Sequence, residues 1–160
     1  KKILLYITIG LFILLIGCSE DTAMEPVPIN EGVDSCETCH MGIIDMDASS
    51  QIILQDGTPK KFDDIGCMLA YYQENKENVG KAYVHDFHSK EWIDLEEATF
   101  LQDSSFESPM SYGMIAFNSS EDADTFQADN GGEKYVGTDV TDIDLSTLKA
   151  MGHGESEHHE

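Results

Sequence analysis

A strand followed by a helix is encoded in residues 50–72, which read SQIILQDGTPKKFDDIGCMLAYY. The β-branched run up to Gln55 predicts a β-strand, and Asp56-Gly57 predicts the turn that closes it. Asp63 or Asp64 predicts the start of a helix, because a short acidic side chain can cap the free N–H groups of a first turn. Apolar residues then follow at helical spacing: Ile65, Met68, Leu69 and Tyr72. The stretch therefore favours a sheet with a helix packed against it.

Further strand patterns lie on both sides of this stretch. Residues 42–46 form a second short β-branched run, which we expect to pair with the strand at residues 50–55. The helix is expected to end between Asn75 and Gly80, and residues 81–87 predict another strand.

The second half of the chain repeats this order. Residues 98–102 and 112–117 predict two strands, and a helix is expected to begin near Ser119 or Ser120. The glycines of Asn130-Gly131-Gly132 predict the end of that helix. A last short strand is predicted for the four residues that follow.

Two similar lobes of ββαβ type are therefore expected within one α+β domain at residues 34–140. The first lobe spans about residues 34–90 and the second about residues 91–140. A short helix and an acidic, His-rich tail are expected in residues 141–160.

The N-terminus is typical of an export signal. Two lysines precede an apolar run at residues 3–16, which is short for a membrane span. The run ends in Leu15-Ile16-Gly17-Cys18, which resembles the bacterial lipobox, whose Cys carries the lipid. Residues 1–17 are thus a predicted lipoprotein signal peptide, Cys18 a predicted lipidation site, and residues 18–33 a predicted flexible tether. We expect a protein anchored in the cell envelope on the extracytoplasmic face of a membrane, on its periplasmic or extracellular side.

The charge balance limits the partners of this chain. Its formal net charge is −22, with 31 acidic residues against 9 basic ones, and all of the basic residues are lysines. Phosphate groups are bound by cationic side chains, so nucleic acid is excluded as a partner, and so is an anionic membrane surface other than through the lipid anchor.

Soft metal-ligand atoms are concentrated in Cys36-Glu37-Thr38-Cys39-His40-Met41. If Cys18 carries lipid, then Cys36, Cys39 and Cys67 remain, which is an odd number of thiols in an oxidising compartment. A disulfide framework alone does not account for them. A metal-ligand or redox role for at least one cysteine is therefore favoured.

Three kinds of site fit part of this motif: a haem attachment site, a redox-active cysteine pair and a zinc site. Cys36-x-x-Cys39-His40 matches the c-type haem attachment signature, with a Met such as Met110 as the second axial ligand. An electron-carrying cytochrome is thus the main alternative, although the β-branched runs downstream disfavour a small helical cytochrome. A thioredoxin-like pair would open a helix, whereas the residues after Cys39 look extended. A zinc site would use both cysteines and His40, with or without Cys67, and gives no role to the nearby methionines.

Copper(I) binding explains more of these features. Thiolate and thioether ligands select Cu(I), and the chain contains seven methionines. Met68 and Met114 fit apolar faces and are expected in the core. Met110 follows Pro109 within the polar residues 104–111, where no periodicity requires an apolar side chain. It is therefore a candidate ligand.

A longer series of residues carries a family resemblance. In chain order the features are Cys36 with Met41, Asp56-Gly57 leading to Phe62-Asp63, Met68, Tyr83-Val84-x-Asp86, Trp92-Ile93-Asp94 before Ala98, Met110 leading to Ala116-Phe117, Ala123, Phe126 and Gly131-Gly132. In their order and spacing they resemble the NosL family, lipoproteins that act as copper chaperones in the maturation of nitrous oxide reductase.

The resemblance implies a fold of two similar strand-strand-helix-strand lobes and a Cu(I) ion held by Cys36 and Met110. Met41 and Cys39 rank next as ligands, followed by His40, although many members lack the second Cys and have Gly in place of His40. The function expected is that of a metallochaperone. Its client would be nitrous oxide reductase, a related extracytoplasmic cuproenzyme, or the machinery that assembles their copper. No enzymatic activity is expected, because Cu(I) transfer proceeds by ligand exchange and no acid, base or nucleophile pair is recognisable.

Overall fold

The structure is a computed structural model that describes residues 24–152 of the 160-residue chain. The predicted signal peptide, the predicted lipidation site at Cys18 and the His-rich end of the tail lie outside the described residues. The first half contains β1 (Ser50–Leu54), β2 (Pro59–Phe62), α1 (Ile65–Asn75), β3 (Val79–His85) and β4 (Trp92–Asp94). The second half contains β5 (Thr99–Gln102), β6 (Met114–Phe117), α2 (Ser120–Asn130), β7 (Glu133–Val136) and α3 (Leu145–Gly152).

Two antiparallel sheets share one topology. The first sheet has the strand order β2-β1-β3-β4 and the second has the order β6-β5-β7. In each sheet the first strand of the lobe is central, the second strand lies on one side, and the strand after the helix lies on the other. The predicted α+β class with two similar ββαβ lobes is confirmed. The strand β4, which begins after residue 90, pairs with β3 and so belongs to the first sheet.

One predicted strand is wrong. Residues 42–46 form a loop whose only ladder contact is an isolated antiparallel bridge between Ser35 and Gly42. The partner of β1 is instead β2, which follows the predicted Asp56-Gly57 turn. Charged residues dominate β2 and hid it from the apolar pattern, and Pro59 stands at its first position, where an edge strand tolerates the missing N–H.

The chain before the first strand is held against the first sheet over its described part. The hydroxyl of Tyr83 donates a hydrogen bond to the backbone oxygen of Met24 at 2.5 Å. The side-chain amide of Gln51 exchanges two hydrogen bonds with the backbone of Val27. A flexible tether was expected across residues 18–33, and in its described portion these contacts fix the backbone instead.

The core consists of one large cluster and one small one. The first half of α1 is buried against the first sheet, and its buried residues are Ile65, Gly66, Cys67, Met68 and Leu69. The small cluster lies under α2, where Leu101, Phe117 and Ala123 pack with partly buried aromatic side chains. The lower apolar content of α2 explains this difference, since only Ala123 of that helix is buried.

The two lobes meet closely at the start of α1. A Cβ atom added to Gly66 would lie 2.0 Å from a ring carbon of Tyr112, so only glycine allows this approach. Tyr112 itself is buried in the large core cluster. Across residues 24–152, no helix combines the length and apolar character that crossing a bilayer requires.

Candidate metal centre

The cysteine motif folds into a tight loop. The backbone N–H of Cys36 donates to the oxygen of Met41 at 2.8 Å, and the N–H of His40 donates back to the oxygen of Cys36 at 3.0 Å. His40 closes the turn with a φ angle of 62°, a left-handed conformation that is uncommon for residues other than glycine. The loop therefore has a fixed shape with both thiols close together.

This loop is anchored to the first lobe at two points. The hydroxyl of Thr38 donates to the backbone oxygen of Cys67 at 2.9 Å, in the first turn of α1. The N–H of Glu37 donates to the oxygen of Lys61 at 2.9 Å, on β2. The anchors bring the loop cysteines next to the third cysteine of the domain.

A cluster of four potential metal ligands results. One ligand atom from each of Cys36, Cys39, Asp63 and Cys67 lies within 4.8 Å of all the others. Cys36, Asp63 and Cys67 are buried, Cys39 is half-buried, and all three cysteines are free thiols. The thiol of Cys39 donates to Asp63 Oδ2 at 3.4 Å. The other carboxylate oxygen, Oδ1, is buried and has no hydrogen-bond partner among the described residues.

The three thiols differ in acidity because they share one negative charge. A hydrogen bond from the Cys67 thiol lowers the pKa of Cys36 to about 6, and backbone N–H groups of Cys39 and Asp63 act in the same direction against burial. Burial raises the pKa of Cys39 to about 11. The hydrogen bond to Cys36, together with burial, raises the pKa of Cys67. With the lowest pKa of the three, Cys36 is the thiol that most readily becomes a thiolate, the form in which a cysteine binds a metal ion.

Met110 is linked to the first lobe by the capping residue of α1. Asp64 Oδ1 accepts from the N–H of Gly66 at 2.7 Å, as a helix N-cap does. Its Oδ2 accepts from the hydroxyl of Ser108 at 2.7 Å and from the N–H of Met110 at 2.9 Å. Met110 is half-buried and packs against the large core cluster, which contains Cys36 and Cys67. Asp64, the residue next to Asp63, therefore holds the backbone of Met110 from the second lobe.

The two remaining candidate ligands lie outside the four-residue cluster. Met41 is 53% exposed, and His40 is exposed as well. The Cys39 thiol contacts Asp63 of the cluster, whereas Met41 is largely exposed. Met41 lines a cleft of about 350 Å³ together with Asp63 and Pro109. Metal binding by Met41 or His40 stays a prediction.

Two residues of the cluster were not predicted as copper ligands. Cys67 was considered only as an optional ligand of a zinc site, and Asp63 as a capping alternative to Asp64. The odd number of cysteines was the signal for Cys67. No sequence signal distinguished Asp63 from Asp64, and the structure assigns the cap to Asp64.

Comparison with known proteins agrees with this architecture. Residues 26–145 match the family model described as NosL. The chain belongs to the NosL family. Among solved structures, the crystal structure of the copper chaperone NosL from Shewanella denitrificans is similar with a TM-score of 0.63 and 20% sequence identity. The match covers 71% of this chain and 92% of that chain, and at this identity it shows a shared NosL fold. A search of curated proteins found no significant match.

Family membership also bears on the haem alternative. The c-type attachment signature had suggested a small helical cytochrome, whereas the described residues form the two antiparallel sheets of a NosL-like fold. The thiol of Cys36 is only 1% exposed and is hydrogen-bonded to Cys67, a residue that the haem motif does not include. These observations favour a site for a bare ion.

Proposed function

We propose that this protein is a metallochaperone that binds Cu(I) through Cys36 and Met110 and passes it to another protein. The observation that carries the proposal is that Met110 of the second lobe packs against the core cluster containing Cys36, which is one of three clustered free thiols, in a member of the NosL family. Thiolate and thioether sulfur atoms are the ligands that Cu(I) prefers.

Cys39 supports the proposal as an additional ligand. Its sulfur lies within 4.8 Å of the ligand atoms of Cys36 and Cys67, and it is the least buried of the three cysteines. A half-buried thiol can take part in an exchange while Cys36 holds the ion. Met41 and His40 are weaker candidates, because both side chains are exposed beside the loop.

Release to a client needs an open path to the ion. The cleft lined by Met41, Asp63 and Pro109 reaches the cluster from the surface, so a ligand of the client can approach there. Transfer then proceeds by ligand exchange, in which a client sulfur or nitrogen replaces the chaperone ligands one at a time. No proton transfer or covalent intermediate is required, and we propose a non-enzymatic role.

The client and the location follow from the sequence resemblance. We propose an extracytoplasmic cuproenzyme, nitrous oxide reductase or a related one, or the machinery that assembles its copper site. Lipid on Cys18 would hold the chaperone at the outer face of a membrane, in the compartment where such enzymes mature. Mass spectrometry of the native protein tests this location: an acylated Cys18 at the N-terminus is expected, and an unmodified peptide upstream of Cys18 would contradict it.

The ligand assignment is tested by competition titration with a Cu(I) chelator under reducing conditions. Loss of an outer partner of a metal ligand weakens binding about 10- to 100-fold, so loss of a ligand in Cys36→Ser or Met110→Leu should weaken it by at least that much. Met46→Leu is the matched control, because Met46 is half-buried in the turn before β1 and is not part of the site.

Three outcomes would change the proposal. Wild-type affinity in both Cys36→Ser and Met110→Leu would show that the ligands are wrong. A loss confined to Cys67→Ser would move the site to α1. An absorbance scan of protein from a haem-maturation-competent host should show no Soret band, and a Soret band that survives denaturation would establish the cytochrome instead.

A further inference from the structure

Asp63 is one of two residues of the cluster, with Cys67, that the proposed Cu(I) ligand set does not use. It is 2% exposed, and its Oδ1 atom is buried without a hydrogen-bond partner among the described residues. A buried carboxylate oxygen without a partner is unfavourable, and native proteins seldom keep one without a reason. The lysines of the adjoining strand β2 do not neutralise it, since Lys60 and Lys61 form ion pairs with Glu37 and Asp34.

The ligand atoms around the Asp63 carboxylate lie close enough together to hold one ion. Three sulfur atoms and one carboxylate oxygen lie within 4.8 Å of one another. In a tetrahedral zinc site with metal–sulfur bonds of about 2.3 Å, the sulfur atoms are about 3.8 Å apart. Side-chain adjustments of about 1 Å would therefore bring all four atoms into a tetrahedron.

The sulfur and carboxylate ligands of the cluster distinguish Cu(I) from a thiophilic divalent cation. Cu(I) is satisfied by two or three soft sulfur ligands and gains little from a carboxylate. A thiophilic divalent ion such as Zn²⁺ takes four ligands and accepts Asp oxygen together with Cys sulfur. The carboxylate also adds negative charge, which favours the dication over the monovalent ion.

We propose that Cys36, Cys39, Cys67 and Asp63 form a tetrahedral site for a thiophilic divalent cation, for which Zn²⁺ is the test ion. This site overlaps the proposed copper site at Cys36 and at the additional ligand Cys39, and the two differ in their other ligands. Met110 belongs to the Cu(I) set and Asp63 to the divalent set. The protein thus contains two overlapping sets of ligands. Which ion it binds depends on which set of ligands that ion requires.

The experiment measures both ions on the same variants of the reduced full chain. Zn²⁺ affinity is measured by competition with a chromophoric chelator, and Cu(I) affinity by the titration described above. Asp63→Asn should weaken Zn²⁺ binding by at least about tenfold more than it weakens Cu(I) binding, because it removes a ligand from one set only. Met110→Leu should show the opposite preference. Glu107→Gln is the matched control, since it removes a negative charge from an exposed residue lining the same cleft.

Co²⁺ provides a second readout on the unmodified protein, which does not depend on how a variant folds. Replacement of Zn²⁺ by Co²⁺ should give the intense visible bands of a tetrahedral ion and sulfur-to-metal charge-transfer bands of three thiolates. Weak octahedral bands would overturn the proposal. So would equal losses of Zn²⁺ and Cu(I) affinity in Asp63→Asn, or no loss of Zn²⁺ affinity. Each of these results leaves the Cu(I) titration of Cys36→Ser and Met110→Leu to be judged by itself, so the two proposals can fail separately.

Discussion

Two buried aspartates, Asp64 and Asp86, join the lobes, and their pKa values are shifted in opposite directions. Asp64 caps α1 and accepts hydrogen bonds from Ser108 and Met110 of the second lobe. Asp86, just after β3, accepts from the N–H of Asn118 at 2.8 Å and from both the N–H and the hydroxyl of Ser89. Each carboxylate thus gathers hydrogen-bond donors from a loop and holds a segment of the other lobe.

The difference lies in what surrounds each carboxylate. Burial raises the pKa of Asp64 more than its three hydrogen bonds lower it, and the nearby Asp63 adds to the rise. Burial also acts to raise the pKa of Asp86, but hydrogen bonds from Ser89 and Asn118 outweigh it and lower the pKa. The Asp86 junction has a backbone link as well, from the N–H of Phe87 to the oxygen of Ala116 at 2.7 Å. The Asp86 junction therefore stabilises the fold, whereas the Asp64 junction holds the loop that carries Met110.

The largest expected effect compares removal of the two carboxylates. Asp86→Ala should lower the free energy of unfolding by about 3 kcal/mol, because it leaves buried donors without an acceptor. Asp64→Ala loses a similar number of hydrogen bonds but also relieves the burial of a charge, so we expect a loss of about 1–2 kcal/mol. Chemical denaturation at neutral pH measures both values. A larger loss in Asp64→Ala than in Asp86→Ala would reverse the comparison.

The pH dependence of stability tests whether the pKa of Asp86 is lowered in the folded protein. Its folded-state pKa lies below the ordinary value of 3.8, so the ionised carboxylate contributes fully above pH 3.8, and this contribution is lost as the pH falls through the lowered pKa. Asp86→Asn removes the titrating group. Its unfolding free energy should therefore fall less steeply with acid than that of the wild type, as measured by denaturant titrations at a series of pH values. Equal slopes would mean that Asp86 is not the stabilised group.

The smallest expected effect comes from removing one serine hydroxyl at each junction. It distinguishes structural support from metal binding. The Ser108 hydroxyl donates to Asp64 and accepts from the N–H of Gly113, and the Ser89 hydroxyl donates to Asp86 and accepts from the N–H of Glu91. Ser108→Ala and Ser89→Ala should each lower the free energy of unfolding by about 1 kcal/mol.

Only Ser108→Ala should also weaken Cu(I) binding, because the 108–110 loop then holds Met110 less firmly. The chelator titration under reducing conditions measures this difference, with Ser89→Ala as the control of equal chemistry. If both variants weaken Cu(I) binding equally, or neither does, the Asp64 junction has no special connection with the metal site.

Elements with a strong local pattern were predictable from the sequence. The apolar spacing of α1, the turn at Asp56-Gly57 and the glycine pair after α2 each determine structure through neighbouring residues, and the structure confirms all three. The strand β2 was not predictable, because its lysines pair with the distant residues Glu37 and Asp34, and such contacts leave no local pattern. The loop at residues 42–46 was mistaken for a strand because its apolar residues include Ile43, which is buried without any sheet partner.

The candidate site was only partly predictable, for a related reason. Cys36 and Cys39 are close in sequence, so their spacing alone indicated a shared role. Cys67 and Asp63 join them through tertiary contacts such as the Thr38 hydrogen bond to the α1 backbone. Met110 is linked to the first lobe through Asp64, a helix cap whose second carboxylate oxygen accepts from the Met110 N–H. Spacing along the chain carries no information about such contacts.

The contact between Gly66 and Tyr112 has a consequence for the thermodynamics of metal exchange. Because the Tyr112 ring occupies the space that a Cβ would fill, the lobes are pressed together at the first turn of α1. For the proposed Cu(I) site, the entropy of ordering the two lobes would therefore be lost during folding, before any ion arrives. We expect binding to need little rearrangement of the backbone, and release not to require separation of the lobes.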